Sequence, residues 1–312
     1  MMLKNTKSFW ILSLVLALTS MYSCKSTKAP KVENYTFANS LLWQIEGNGI
    51  TKPSYLFGTI HMIDKDAFFW PKGALTALDT AEDVVFEIDL DDMFDMSKAM
   101  GLMNKAFMKD GATLKDFYSP EDYDLVKAHF EGMGIPFFMM QKMKPMFLTV
   151  FASGDIKPGE GLNGDGAIKS YEMELYSIAQ ESKKDVSGLE TIDYQISVFD
   201  SIPYQEQADM LLQTVKSSDT EDDSFKEMID MYVTQDINKM VASMSEEEGI
   251  SGNEDVLLYN RNRNWIPIMS EKMKGASTFF AVGAGHLGGK DGVLDLLNRQ
   301  GYKLTPLSTH KS

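Results

Sequence analysis

The sequence predicts an α/β protein: a central mixed sheet built from two degenerate strand–Gly-x-x-His–helix–strand repeats, carrying a large helical insertion. Three observations predict it. The apolar run Tyr55-Leu-Phe-Gly-Thr-Ile-His61 ends in Gly-x-x-His, and Thr278-Phe-Phe-Ala-Val-Gly-Ala-Gly-His286 repeats that phrase near the other end of the chain. Each phrase is followed by a helical stretch and a further strand-like run. Between them lies a long Met-rich segment with helical spacing. Runs so rich in β-forming residues suit strands buried on both faces. Glycine at the exit lets the backbone turn sharply or approach a neighbour closely. A His at the carboxyl end of such a strand stands where open α/β sheets keep their sites. The chain has only four His, and two of them share this setting.

Taken in order, the chain opens with Lys4 and Lys7 before the apolar run Phe9 to Leu18, then small and polar residues up to Cys24. Residues 1–23 therefore read as a signal peptide, and the apolar run is too short to span a bilayer permanently. Cys24, the single Cys of the chain, follows Ser23 as the lipidated Cys of a bacterial lipoprotein would, although Met21 and Tyr22 relax the match. Residues 24–36 form a polar tether with a lipid anchor at Cys24, and residues 37–308 form the folded domain. A lone Cys excludes an internal disulfide. The expected location is the cell envelope, with the membrane contacted through the anchor alone. The formal charge of −15 argues against nucleic-acid binding, which calls for basic surfaces.

Leu41-Leu-Trp-Gln-Ile-Glu46 alternates and reads as a strand, paired as a hairpin with Tyr55–Gly58 across Gly47-Asn-Gly49. After His61 an aromatic loop leads to a helix from Gly73 to Ala81. The strand Asp83-Val-Val-Phe-Glu-Ile-Asp89 follows, with Glu87 and Asp89 on one face by its period of two. Glu87, flanked by Phe86 and Ile88, reads as a placed carboxylate. The helical insertion runs from about 91 to 181. Ser119-Pro-Glu-Asp is a strong helix start, Gly132 and Gly134 end that helix, and His129 upon it reads as a packed or surface residue. The Met-rich helices form either a cap with its own core or an adaptable apolar groove. The Gly-rich loop from Gly154 to Gly166, with Asp155, Glu160 and Asp165, matches neither a phosphate loop nor an EF-hand. Lys184-Asp-Val-Ser-Gly-Leu-Glu190 is a strand that again delivers a carboxylate at its exit. Helices alone are expected from Ile192 to Lys274. Within them Tyr259-Asn-Arg-Asn-Arg-Asn264 is unusually polar, either an exposed face or a means of aiming Arg261 and Asn262 into the site. The second Gly-x-x-His unit then closes the chain with a helix from Gly292 to Arg299 and a strand from Tyr302 to Leu307.

Leu42-Trp43, the Gly-x-x-His motif ending at His61, Phe86-Glu87, Gly188-Leu-Glu-Thr191 with Gln195, Arg261-Asn262 and Val282-Gly-Ala-Gly-His286 together resemble the TraB/GumN family. That family is related to the Tiki metalloproteases and, in fold, to erythromycin-esterase and ChaN-like proteins. The likeness covers roughly residues 40–307. It implies a protease-like divalent-metal site in which His61 and His286 are the paired histidines. Glu87 and Glu190 are the site acids, Arg261 belongs to an Arg-Asn pair with Asn262, and Asp165 corresponds loosely to a Gly-x-Asp.

The residues support such chemistry. Two imidazoles with one or two carboxylates make a ligand set suited to Zn, Mn, Co or Fe. His61, His286 and one of Glu87 or Glu190 are expected to bind the ion; the other Glu is expected to take a proton from water, and Arg261 to steady the developing oxyanion. There is no His-Glu-x-x-His. The expected function is a metal-dependent hydrolase of peptide or protein substrates at the cell envelope. A metal-free hydrolase with a His as base is one rival. The other is a non-catalytic envelope lipoprotein that binds or sequesters a peptide or haem-like ligand.

Overall fold

The computed structural model describes residues 35–94, 98, 101, 104–152, 168–218, 224–246 and 252–307. Cys24 with its tether, Asp165 with the Gly-rich loop and the acidic runs at 219–223 and 247–248 lie outside the described residues. A six-stranded sheet forms the centre, in the order β6-β4-β7-β2-β1-β8. Its strands are β1 (Leu42–Gly47), β2 (Ser54–Thr59), β4 (Asp83–Ile88), β6 (Asp185–Glu190), β7 (Thr278–Gly283) and β8 (Tyr302–Pro306). β6, β4, β7 and β2 run parallel, while β1 is antiparallel to both β2 and β8. The sheet is thus mixed, as the sequence predicts, and the two strands that carry Gly-x-x-His are adjacent at its middle.

Burial explains the order. Every residue of β2 is buried, as is all of β7 except its last glycine, which fits strands flanked by others and covered on both faces. Phe57, Phe279 and Phe280 lie in one core with Val84, Val85 and Phe86 of β4 and with Trp265, Met269 and Met273. The last three come from the long helix α10 (Asn260–Gly275). α1 (Ala74–Thr80) links β2 to β4 and α11 (Val293–Arg299) links β7 to β8, so each Gly-x-x-His unit continues into a helix and a parallel strand. The loop after His61 is less irregular than its sequence suggests. Ile63–Asp64 (β3) pairs with Ile168–Lys169 (β5) in a small second sheet.

The helical part contains α2 (Asp91–Phe94), α3 (Pro120–Gly132), α4 (Pro145–Ala152), α5 (Tyr171–Glu181), α6 (Ile192–Phe199), α7 (Tyr204–Ser218), α8 (Ser224–Val233) and α9 (Ile237–Glu246). Ser119 caps α3 by accepting from the Asp122 N–H, with Pro120 at the first helical position. A second core gathers Leu114, Val126, Phe130, Phe137 and Leu148 around Leu211 and Val215 of α7. α5, in contrast, gives Tyr171, Leu175 and Ala179 to the core of the sheet. His129 packs as expected of a structural residue, its Nε2 2.8 Å from the Ala152 carbonyl. No described helix is long and apolar enough to cross a membrane.

Candidate active site

β2, β7, β4 and β6 are parallel neighbours, so their carboxyl ends share one edge, and that edge collects the polar residues. Thr59 of β2 stands opposite Gly283 of β7, which sets the two Gly-x-x-His turns side by side. The two glycines are required for different reasons. A Cβ on Gly58 would lie 2.6 Å from Leu287 Cδ1 and 3.1 Å from Ala284 Cα, so the second motif's turn packs directly on the first motif's glycine. A Cβ on Gly283 would instead press on the Glu87 carboxylate at 3.3 Å, and the Gly283 N–H donates to Glu87 Oε1 at 2.8 Å.

Arg261 is the hub. It sits near the start of α10, and its guanidinium is buried. Nη2 donates to Glu87 Oε2 at 2.5 Å and to Glu190 Oε1 at 2.7 Å. Nε donates to both Glu190 oxygens, at 3.0 and 3.3 Å. Nη1 donates to the Leu257 carbonyl at 3.1 Å and reaches His286 Nε2 at 3.2 Å. Trp265, one helical turn on, donates its Nε1–H to Glu190 Oε2 at 2.9 Å and holds its ring 4.5 Å from that of His286. Gln195 donates to Glu87 Oε2 at 3.3 Å. The polar stretch 259–264 thus turns Arg261 and Asn262 inward and leaves Arg263 at the surface with Asp255 and Asp291.

This network fixes the protonation of its members. Burial alone would raise the Glu87 pKa, but Arg261, with His61 and the Gly283 N–H, brings it down to about 2. Glu87 is therefore an anion at all ordinary pH values. Burial, reinforced by the Arg261 charge, pushes His286 down to about 3, so its ring is neutral. Asn262 donates Nδ2–H to the Asp291 carbonyl at 3.0 Å, which turns its Oδ1 toward His286 Nδ1 at 2.6 Å. An amide oxygen only accepts, so the His286 proton is on Nδ1 and the lone pair is on Nε2.

His61 lies at the same edge but is exposed, its side chain 74% accessible. Its Nδ1 is 3.0 Å from Glu172 Oε1. The Glu172 carboxylate raises the His61 pKa, a pull that water screens at such an exposed ring. Glu172 also accepts from Thr59 Oγ1 at 2.7 Å and from Ser170 Oγ at 3.0 Å. The structure therefore joins Glu87, Glu190, Arg261, Asn262 and His286 in one network and places His61 beside it in a second. Asp89 is turned away, its Oδ1 accepting from the Asp91 N–H at the start of α2. Sequence reasoning missed Glu172 and Trp265. An acid in the first turn of a helix reads as a partner of the helix dipole, and a Trp at helical spacing reads as core.

Donor geometry tests whether these residues suit a divalent ion. His286 Nε2 and Glu87 Oε1 are 3.7 Å apart, less than twice the roughly 2.0–2.2 Å of a metal–ligand bond, so one ion can touch both. Both oxygens of Glu190 are held by Arg261 and Trp265, and both of Glu87 are held too, Oε1 by the Gly283 N–H and Oε2 by Arg261 and Gln195; what singles out Glu87 is the place of its Oε1 beside His286 Nε2. Among the described residues, no three His, Cys, Asp or Glu side chains converge on one point. His61 is the nearby candidate for a third ligand.

Fold and site together define a mixed α/β protein whose polar centre lies at the carboxyl ends of four adjacent parallel strands. The chain belongs to the TraB/PrgY/gumN family, whose profile matches residues 41–306. It is similar to metalloprotease TIKI2 of Danio rerio, with 22% identity over 85% of this chain and 60% of that protein. It is also similar to metalloprotease TIKI1 of Xenopus tropicalis, with 23% identity over 93% of this chain and 66% of that protein. For TIKI1 of Homo sapiens the identity is 23%, over 95% and 68%. The chain spans about three fifths to two thirds of these relatives' length. No solved structure shows a significant match to it.

Proposed function

We propose that the chain is a divalent-metal-dependent hydrolase of peptide bonds, with His286, Glu87 and His61 as the residues that would hold the ion. One observation carries this reading: the neutral His286 Nε2 and the ionised Glu87 Oε1 face each other at 3.7 Å, beside a second strand-exit His. The relatives' printed name, metalloprotease, supports it. A bound divalent ion supplies Lewis acidity toward a carbonyl and makes water a stronger acid; Mn, Co, Zn and Fe all suit such donors. The chain's own groups then divide the work. Glu87, whose pKa is about 2, is a poor proton carrier near neutrality and a good anionic ligand. Glu190 anchors Arg261. The five N–H groups of Arg261 are all engaged; were His286 Nε2 to hold an ion, the Nη1–H that faces it would be freed to stabilise charge developing on oxygen.

The opposing observation is that Arg261 already pairs with both Glu87 and Glu190, as it could also do in a protein that binds a peptide or haem-like ligand without cleaving it. Metal analysis of protein purified without chelator, followed by a broad peptide panel with added Mn or Co, separates the two readings. Metal-dependent cleavage that is lost in Glu87→Gln supports the hydrolase. Metal without cleavage supports the binder. The site is further proposed to work at the cell envelope, exported by residues 1–23 and anchored through Cys24. A lipidated chain with several acyl groups is held firmly, because each buried CH₂ contributes about 0.8 kcal/mol. Cys24→Ser is expected to move the protein into the soluble fraction, and its retention on membranes at the wild-type level would remove the anchor.

A further inference from the structure

His286 is wired by Asn262 of α10. His61 has no such amide, yet its ring is also held at Nδ1, by a carboxylate 111 residues away in sequence. Glu172 is the second residue of α5, and three side chains from two parts of the chain converge on it. Thr59 and His61 come from the exit of β2, and Ser170 is the residue that caps α5, its Oγ also accepting from the Met173 N–H. The Glu172 side chain is only 17% accessible. An acid whose sole task was to complement the helix dipole would sit in water. This one is enclosed and spends both oxygens on side-chain donors. It follows from acceptor chemistry that the His61 nitrogen facing an ionised carboxylate carries the proton. The lone pair of the neutral ring is then on Nε2.

We propose that Glu172 is the positioning residue of His61. It fixes the Nδ1–H tautomer and the ring orientation, so that both Gly-x-x-His motifs present Nε2 as their working nitrogen. The inference rests on the reading of His61 as a functional group of the site. It adds that the element delivering this control is α5, which packs on the sheet through Tyr171, Leu175 and Ala179. A carboxylate that orients a ligating His through its far nitrogen changes metal affinity by about 10–100-fold when removed.

The test is the tautomer itself. Proton–nitrogen correlation spectra of the full chain, at alkaline pH where the ring is neutral, report which nitrogen of His61 is protonated. The signals are assigned by their loss in His61→Gln. In the wild type the proton is expected on Nδ1. Glu172→Gln, whose amide oxygen still accepts, is expected to keep it there. Glu172→Met, of similar size but without an acceptor, is expected to shift the proton toward Nε2 and to weaken Mn binding about 10–100-fold by titration calorimetry. A wild-type proton on Nε2 would overturn the proposal, as would a folded Glu172→Met variant that retains the Nδ1 proton. Should Glu172→Met fail to fold, the wild-type and Glu172→Gln spectra still decide. A shift in tautomer with no change in Mn binding upholds the wiring and counts against the metal reading alone.

Discussion

Arg261 shows how one side chain can be structural and functional at once. It and its two carboxylate partners are nearly inaccessible, at 9% for Arg261, 11% for Glu87 and 5% for Glu190. Removing one member of a buried charge group leaves the others uncompensated, which costs about 3–5 kcal/mol. Arg261→Met is therefore expected to lower unfolding stability in urea by about that amount, far more than removal of an exposed arginine. The same change removes what holds Glu87 low, so burial then raises its pKa. Much of this residue-level picture is legible in the sequence, since Glu87, Glu190, Arg261, Asn262 and both Gly-x-x-His histidines stand out in their local settings. The division of labour is not. Whether Glu190 meets an ion or an arginine depends on a contact 71 residues apart, and nothing near Glu172 announces Thr59 or His61.

At the scale of elements, the two central strands are readable because the apolar runs Tyr55–Phe57 of β2 and Phe279–Val282 of β7 each lead into a Gly-x-x-His. The partition of the helices is not, because α5 and α7 have similar amphipathic patterns yet pack into different cores. Two consequences can be measured. A Cβ on Gly188 of β6 would lie 2.4 Å from the Asp89 backbone nitrogen and 2.7 Å from the Ile88 carbonyl carbon. Backbone atoms cannot swing aside as side chains do. Gly188→Ala is thus expected to cost about 1–3 kcal/mol in thermal or urea unfolding and to displace Glu190 from Arg261. The second consequence concerns the join between α4 and α6. Lys144, 1% accessible, is paired with Asp200 at the end of α6, and Lys109 reaches the same carboxylate. Burial would raise the Asp200 pKa, but the two lysines hold it below the usual 3.8. A lowered carboxylate contributes stability that is complete above its unfolded value and is lost as pH falls through the lower folded value. The wild type is expected to lose this contribution below about pH 4, and Asp200→Asn to lack it at neutral pH, as acid and urea unfolding of the two proteins will show.

Across the whole molecule, the sheet brings together two turns from opposite ends of the chain. His61 and His286 share an edge because β2 and β7 pair in parallel with Thr59 opposite Gly283, and because the second turn rests on Gly58. If both rings serve one ion, the two residues act as a unit, and changes at residues of a unit do not add. His61→Ala and His286→Ala are each expected to abolish most metal binding, and the double variant to lose little more. Stability should separate them. His61 is exposed, and Glu172 keeps Thr59 and Ser170 as donors in its absence, so its removal is expected to lower melting less than that of His286. His286 is buried against Trp265 and satisfied by Asn262, so its removal leaves the Asn262 oxygen without its partner and costs about 1–3 kcal/mol. Metal content and melting of the three variants distinguish a shared site from two independent ones. Full metal in both single variants would exclude a common ion, whereas equal loss in all three, with unequal melting, is the signature of one site spanning two motifs.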